Sequence, residues 1–433
     1  MTNGKGTFTN EIDFSDYDKQ KDLTVMENRY DRYKDSGIAW IGVIPEHWEI
    51  TLFKRKITIN NGKDYKNFSD AEIYPVIGSG GCFAYCSNYM YDGEALLLGR
   101  KGTIDKPLYV KGKFWAVDTM FYAIPHKDLH CKFSYYLALT FPFNLYSTST
   151  SLPSLTQTDL GNIPVAFPSI SEQQAIADYL DRRCSEIDDL IALQEEMITK
   201  LQSYKQSVIT EAVTRGLDKN VPLKDSGIDW IGKIPEHWEI VKIKNIFNIS
   251  SGATPKTDNM AYWDGEIIWI TPADYKTEDK IIKSGKRNIT LAGLNSCGTS
   301  IIPKDSIIFS KRAPIGLVAI NVVPLCTNQG CISCIPKSFV YSKYFYFLMS
   351  VLTEWFELFG SGTTFKELST NNFANFNLSY PPLAEQQAIA DYLDQRCSEI
   401  DELIALKQQK IEKLKEYKKS LIFECVTGKR KVS

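Results

Sequence analysis

The chain has 433 residues, 43% hydrophobic and 24% charged, with a formal net charge of −2. That length allows two or three domains with cores of their own, and the near-neutral charge excludes a uniformly basic nucleic-acid-binding surface. No run of eighteen apolar residues and no signal peptide is present, and the ten cysteines are scattered, so a cytoplasmic protein without membrane spans is expected.

Residues 1–33 are polar and aperiodic and are expected to be a flexible N-terminal arm, with Met26 as an internal candidate start. A turn-rich connector follows, KDSGIAWIGVIPEHWEI at 34–50, and it recurs as KDSGIDWIGKIPEHWEI within the linker 217–240. His47 and His237 occupy equivalent places and are read as hydrogen-bonding structural residues. Trp40, Trp48, Trp230 and Trp238 are apolar anchors and candidate partner-binding residues.

A second repeat begins at 172. EQQAIADYLDRRCSEIDDLIAL at 172–193 and EQQAIADYLDQRCSEIDELIAL at 385–406 differ at only two positions, Arg182/Gln395 and Asp189/Glu402. With heptad a at Ala177, the core series runs Ala177, Leu180, Cys184, Ile187, Ile191, Gln194, Ile198, Leu201, Lys205, Val208, Ala212. The second copy gives the same series from Ala390 to Cys425, with polar residues at the same two layers, Lys407 and Lys418. A 3.5-residue apolar period over six heptads predicts two coiled-coil helices, 171–216 and 384–428, each about 65 Å long. They are expected to pair with each other, with Ser171 as the first N-cap and 429–433 a basic tail.

Between the repeats lie two interiors, 51–170 and 241–383, that diverge almost completely. Both read as mixed α/β. Strands are expected at Tyr74–Gly78, Ala95–Leu98, Phe114–Ile124, Ile267–Thr271, Ser306–Ser310 and Gly330–Ile335, and helices at Tyr135–Leu139 and Tyr344–Leu352. The first interior carries 12 basic and 9 acidic residues and the second 14 and 10, whereas residues 1–50 and 171–220 each carry 6 and 10. Two mildly electropositive modules on an acidic frame are thus expected. Like ends around unlike middles suggest two readers of different targets.

Together these features resemble the specificity subunit of type I restriction-modification enzymes. The resemblance covers 26–433 and rests on the doubled connector, the doubled EQQAIADYLD helix start and the two unlike interiors. In the second interior it adds SGATPKT at 251–257, IIFSKRAPIG at 307–316, TNQG at 327–330 and SGTTFKELS at 361–369. In the first, LLLGRKGTID stands in the place of IIFSKRAPIG and AVDTMFY in that of CTNQGCI, while SGATP has only INNGK at 59–63 to match. The resemblance implies two α/β target-recognition domains, each reading half of a bipartite sequence in double-stranded DNA. It implies an antiparallel helical spacer between them, related by an internal pseudo-twofold. Two methyltransferase subunits and restriction subunits are the implied partners, and they would carry S-adenosylmethionine, ATP and Mg.

No catalytic residue or cofactor site is expected in the chain itself. The nearest approach to an adenine-methyltransferase motif, Ser379-Tyr380-Pro381-Pro382-Leu383, lacks the amide or carboxylate before the prolines and the aromatic after them, and no GxxxxGK[ST] loop occurs. Cys331-x2-Cys334, Cys82-x3-Cys86 and His126-x3-His130-Cys131 have metal-like spacings but read as structural. Candidate DNA contacts follow from side-chain chemistry: Arg for guanine, Asn and Gln for adenine, Lys and hydroxyls for phosphate. They are Arg100, Lys101, Ser149, Ser151 and Gln157 in the first interior. In the second they are Ser310, Lys311, Arg312, Asn328, Gln329, Thr363 and Thr364. Two alternatives stay open, a coiled-coil adaptor without a DNA role and a self-contained nucleic-acid-modifying enzyme.

Overall fold

The computed structural model describes residues 29–68, 72–147, 153–277, 280–312, 314–360 and 366–432. The chain divides into two units, one of residues up to Gln194 together with those from Gln409 on, the other Glu195–Gln408.

In the first unit a six-stranded sheet has the order Ile57–Asn61, Met120–Pro125, Tyr91–Gly99, Leu108–Ala116, Tyr74–Gly78, Gly81–Cys86. All its pairings are antiparallel except Tyr74–Gly78 beside Leu108–Ala116. The expected strand Phe114–Ile124 is in fact two strands. The chain turns at Val117–Thr119, where Met120 N donates to Val117 O at 2.9 Å, without a glycine or proline to signal it. The buried run Ala95–Leu98 splits its side chains between two cores, Leu96 and Leu98 with Phe121 and Phe133, Ala95 and Leu97 with Val76 and Trp115. Alternation across a sheet buried on both faces explains the uninterrupted apolar run.

In the second unit a five-stranded sheet, Phe247–Ser251, Cys331–Pro336, Ile307–Ser310, Val318–Asn321, Ile281–Ile282, stands beside a three-stranded one, Arg287–Ile289, Trp263–Ile270, Cys326–Thr327. Helix Ser342–Ser350 packs Tyr344, Phe345 and Leu348 into the core with Phe247, Phe309 and Phe373.

The long helices are Ile170–Arg215 and Leu383–Val426. The first begins one residue before Ser171, and Ser169 caps it, its Oγ accepting from Glu172 N at 3.4 Å. Within the first unit Ala177, Leu180, Cys184 and Ile187 are buried with Leu421, Ile422 and Cys425. Within the second, Val208 and Ala212 are buried with Ala390, Leu393 and Cys397. The pairing is antiparallel inside each unit: Tyr179 meets Arg430 and Asp188 meets Lys418, while Met197 meets Lys407 and Tyr204 meets Arg396. The polar core-layer lysines explain themselves. Lys418 Nζ reaches both carboxylate oxygens of Asp188 at 2.7 Å, and Lys205 reaches those of Asp401 at 2.7 and 2.6 Å. Each lysine buries its stem along the seam and ties its head to the opposite helix, which fixes register.

The repeated EQQAIADYLD start is the mount for each module. Glu172 accepts from Trp48 Nε1 at 3.2 Å and lies 3.0 Å from His47 Nε2, while Tyr30 OH also donates to it. Glu385 repeats this with Trp238 Nε1 at 2.9 Å and His237 Nε2 at 2.7 Å. The buried Gln173 accepts from His130 N at 2.8 Å and donates to Pro168 O at 3.0 Å; Gln386 accepts from Tyr341 N at 2.8 Å and donates to Pro381 O at 2.9 Å. Asp181 takes Tyr136 OH and Lys132, and Asp394 takes Lys343 and Lys280. The same three helix positions thus fasten two unlike modules.

Two expected partner-binding residues are corrected here. Trp48 and Trp238 are fully buried, with their indole N–H groups bonded to Glu172 and Glu385, so they hold the connector to the helix and offer no surface. Trp40 and Trp230 are half-buried, the first edge-on to Phe141 and the second stacked on Phe376.

Candidate nucleic-acid interface

In the first unit strand Tyr91–Gly99 ends in Arg100-Lys101; in the second, Ile307–Ser310 ends in Lys311-Arg312. The two basic turns are tied alike. Arg100 N donates to Thr119 O at 2.8 Å, and Arg100 O accepts from Leu155 N at 3.0 Å. Lys311 N donates to Gly330 O at 2.9 Å, and Lys311 O accepts from Leu368 N at 2.9 Å. The next residues, Lys101 and Arg312, form isolated bridges with Ser154 and Glu367. Each tie leads into a short helix with a hydroxyl cap, Thr156 before Gln157–Gly161 and Ser369 before Thr370–Ala374. Arg100 therefore corresponds to Lys311, Lys101 to Arg312, and Ser154 to Glu367.

A third segment completes each face. Strand Ile57–Asn61 runs into Gly62, and Phe247–Ser251 into Gly252. A Cβ on Gly62 would stand 2.0 Å from Val117 O, and one on Gly252 2.0 Å from Thr327 O. Only glycine permits that approach. The residue after each glycine accepts an indole N–H, Lys63 O from Trp115 at 2.7 Å and Ala253 O from Trp269 at 3.0 Å. Asn61-Gly62-Lys63 is thus the counterpart of Ser251-Gly252-Ala253, a match that sequence alone left unclear.

The electrostatics of the two turns differ. Glu367 places Oε1 3.0 Å from Lys311 Nζ and Oε2 3.0 Å from Arg312 Nε. Partial burial raises its pKa, but the bonds from Lys311 and Arg312 outweigh that and hold the carboxyl below its usual range. Lys311 is 13% exposed and Arg312 47%. In the first unit the Arg100 guanidinium donates to Asp118 O at 3.4 Å and lies 5.8 Å from the Phe121 ring centre, and Lys101 is exposed. Neither has a carboxylate partner among the described residues.

Of the other candidates, Gln157 donates Nε2 to Ile59 O at 3.0 Å, beside the Asn61-Gly62 turn. Asn328 Oδ1 accepts from Gly330 N at 2.9 Å, which shapes the TNQG turn, and exposed Gln329 accepts from Thr254 Oγ1. Ser310 is corrected: it is fully buried, donates to Pro314 O at 2.6 Å and accepts from Leu317 N at 2.8 Å, so it braces the loop behind the basic turn. Ser149, Ser151, Thr363 and Thr364 lie outside the described residues. Sequence reasoning passed over Ser251, Thr254, Thr370 and Glu367, although the first two sit in SGATPKT. Ser251 Oγ meets Thr370 Oγ1 at 3.1 Å and joins the glycine turn to the first residue of the short helix.

The metal-like spacings do not converge. Cys331 and Cys334 sit on one strand and point into different cores, and burial pushes Cys331 up to about 12 and Cys334 higher still. His126 is bonded to Thr58 and Arg55, and His130 caps helix Cys131–Ala138. Among the described residues no group of three or more His, Cys, Asp or Glu side chains is placed to hold a metal ion, and no helix is long and apolar enough to cross a membrane.

The Type I restriction modification DNA specificity domain matches twice, over residues 46–202 and 235–416. Among similar proteins, the MjaIX type I restriction enzyme specificity subunit of Methanocaldococcus jannaschii is 42% identical over 185 residues, 42% of this chain and 42% of that one. The MjaVIII specificity subunit of the same organism is 27% identical over 90% of this chain and 94% of its own length. A chain from a structure of type I restriction-modification complex assembly and conformational transition covers 88% of this chain at TM-score 0.71 and 16% identity. The HsdS subunit of Thermoanaerobacter tengcongensis covers 89% at TM-score 0.53, also at 16% identity. These likenesses carry the fold, two mixed α/β modules on antiparallel long helices. With two copies of the family domain spanning well over half its length, the chain belongs to the DNA specificity subunits of type I restriction-modification systems, the non-catalytic members of those enzymes.

Proposed function

We propose that residues 51–170 and 241–383 are recognition modules, each reading one half of a bipartite sequence in double-stranded DNA. The helices 171–216 and 384–428 set the spacing and offer the frame on which two methyltransferase subunits dock, with restriction subunits joining them. The observation that carries this reading is that two unlike modules present the same three-part face: a glycine turn, a basic turn and a hydroxyl-capped short helix. Identical construction with different side chains fits one task applied to two sequences. On this reading Arg100, Lys101, Ser149, Ser151 and Gln157 contact the first half-site and Lys311, Arg312, Asn328, Gln329, Thr363 and Thr364 the second. Trp40 and Trp230 contribute to partner docking. S-adenosylmethionine, ATP and Mg reside on the partner subunits, and the assembly works in the cytoplasm.

The test is equilibrium binding of the chain, co-purified with its modification subunits, to its methylation-mapped target and to scrambled duplexes across a salt series. Specific DNA binding is expected to exceed binding to scrambled duplex by a factor on the order of 10³ or more and to weaken steeply with salt. Equal binding to both duplexes would overturn the reading.

A further inference from the structure

The two basic turns share their backbone ties but not their chemistry. In the second module a single carboxylate spans both cations, one oxygen to each, at 3.0 Å. In the first, Ser154 stands in that place and the cations have no carboxylate among the described residues. A charge put on a DNA-facing turn only for phosphate attraction gains nothing from being neutralised, since phosphate affinity scales with the positive charge presented. Glu367 must therefore serve geometry. Lys311 is only 13% exposed and shares its charge with Glu367. Arg312 is tethered through Nε alone and makes no other side-chain bond among the described residues, so its two terminal nitrogens stay available on a half-exposed side chain. A guanidinium held in that way is a fixed two-donor fork, the arrangement that matches guanine O6 and N7 in the major groove. Its counterpart in the first module, Lys101, is a flexible point charge without a fork.

We propose that Glu367 is a positioning residue that fixes Arg312 as the reader of a guanine in the second half-site, while the unbridled Arg100-Lys101 pair of the first module supplies phosphate attraction. This rests on the recognition reading given above and adds to it a division of labour between the modules and the identity of one base contact.

The test uses the full chain assembled with its modification subunits and a panel of duplexes in which each G·C pair of the mapped second half-site is replaced in turn. The wild-type assembly is expected to lose roughly 10-fold to 100-fold in affinity at one such pair. Arg312→Lys, which keeps the charge, and Glu367→Gln, which keeps the shape, are expected to abolish that preference at the same pair. Penalties across the first half-site should not change, and Arg312→Lys should keep the wild-type salt slope. Glu367→Asp should recover part of the preference. A role confined to folding would weaken all duplexes alike, so a uniform loss overturns the proposal, as does full wild-type discrimination by Arg312→Lys at every G·C pair, or a second half-site without one. Should Glu367→Gln lower the melting temperature of the second unit, Arg312→Lys alone decides. Failure of the wild-type assembly to prefer its mapped target would instead defeat the recognition reading and this inference with it.

Discussion

Gly216 and Gly428 end the two long helices in nearly the same left-handed conformation, φ +77° and +72°, and each faces the Pro and Trp of a connector. Sequence places them in comparable contexts, yet the packing around them differs. A Cβ on Gly216 would lie 3.3 Å from Trp238 Cζ2 and 3.9 Å from Pro235 Cγ, close to ordinary contact. A Cβ on Gly428 would lie 2.2 Å from Pro45 Cδ and 2.6 Å from its Cγ, with Trp48 Cη2 at 3.3 Å. For Gly216→Ala the cost is therefore mainly that of a left-handed L-residue, about 1–2 kcal/mol. For Gly428→Ala the same cost is joined by overpacking against a rigid ring wedged over a fully buried Trp48, a further ~1–3 kcal/mol. In a unit of this size each kcal/mol lowers Tm by roughly 2–4 °C. Hydrogen–deuterium exchange at the 34–50 and 224–240 connectors, run beside thermal melts, separates the two effects by location. Gly428→Ala is expected to open the first connector more than Gly216→Ala opens the second. Equal losses, or a larger one for Gly216→Ala, would refute the packing argument.

Glu172→Ala should cost about 2–4 kcal/mol in the first unit, because it removes a charged acceptor and strands the buried Trp48 N–H; urea denaturation followed by Trp fluorescence would show it. Lys101→Ala should weaken binding to all duplexes and reduce the slope of log K against log salt by about 1. The Glu367 carboxyl titrates below its ordinary range in the folded chain, so the contribution of its ion pairs is present above the unfolded-chain pKa and is lost as pH falls through the lower folded value. Base preference in the second half-site should accordingly stay constant between about pH 6 and 8, and a decline within that window, measured by binding titrations at fixed salt, would contradict the bridge.

Much of the fold was legible because the chain repeats itself. The heptad series from Ala177 marks the residues that line the seam, and the EQQ start is repeated because Glu172, Gln173 and Asp181 must do for the first module what Glu385, Gln386 and Asp394 do for the second. The basic turns could be found from the strands that precede them. What sequence could not supply was the face a residue takes. Ser310 ends an apolar strand and turns inward, and Trp48 follows an exposed histidine yet is buried in the apolar core, its N–H bonded to a glutamate 124 positions away. Glu367 eluded sequence reasoning for the same reason: it pairs with Arg312 across 55 positions, and only the folded loop brings them together. The hidden turn at Val117–Thr119 lacks both glycine and proline, so two strands read as one.

The most direct measurement is methylation mapping of a chimaera in which residues 241–383 are exchanged for the corresponding module of another family member, co-expressed with the native modification subunits. Two independent readers on a shared frame predict a mapped target whose first half and spacing are retained and whose second half is replaced. A target altered in both halves, or unaltered in either, would contradict the account.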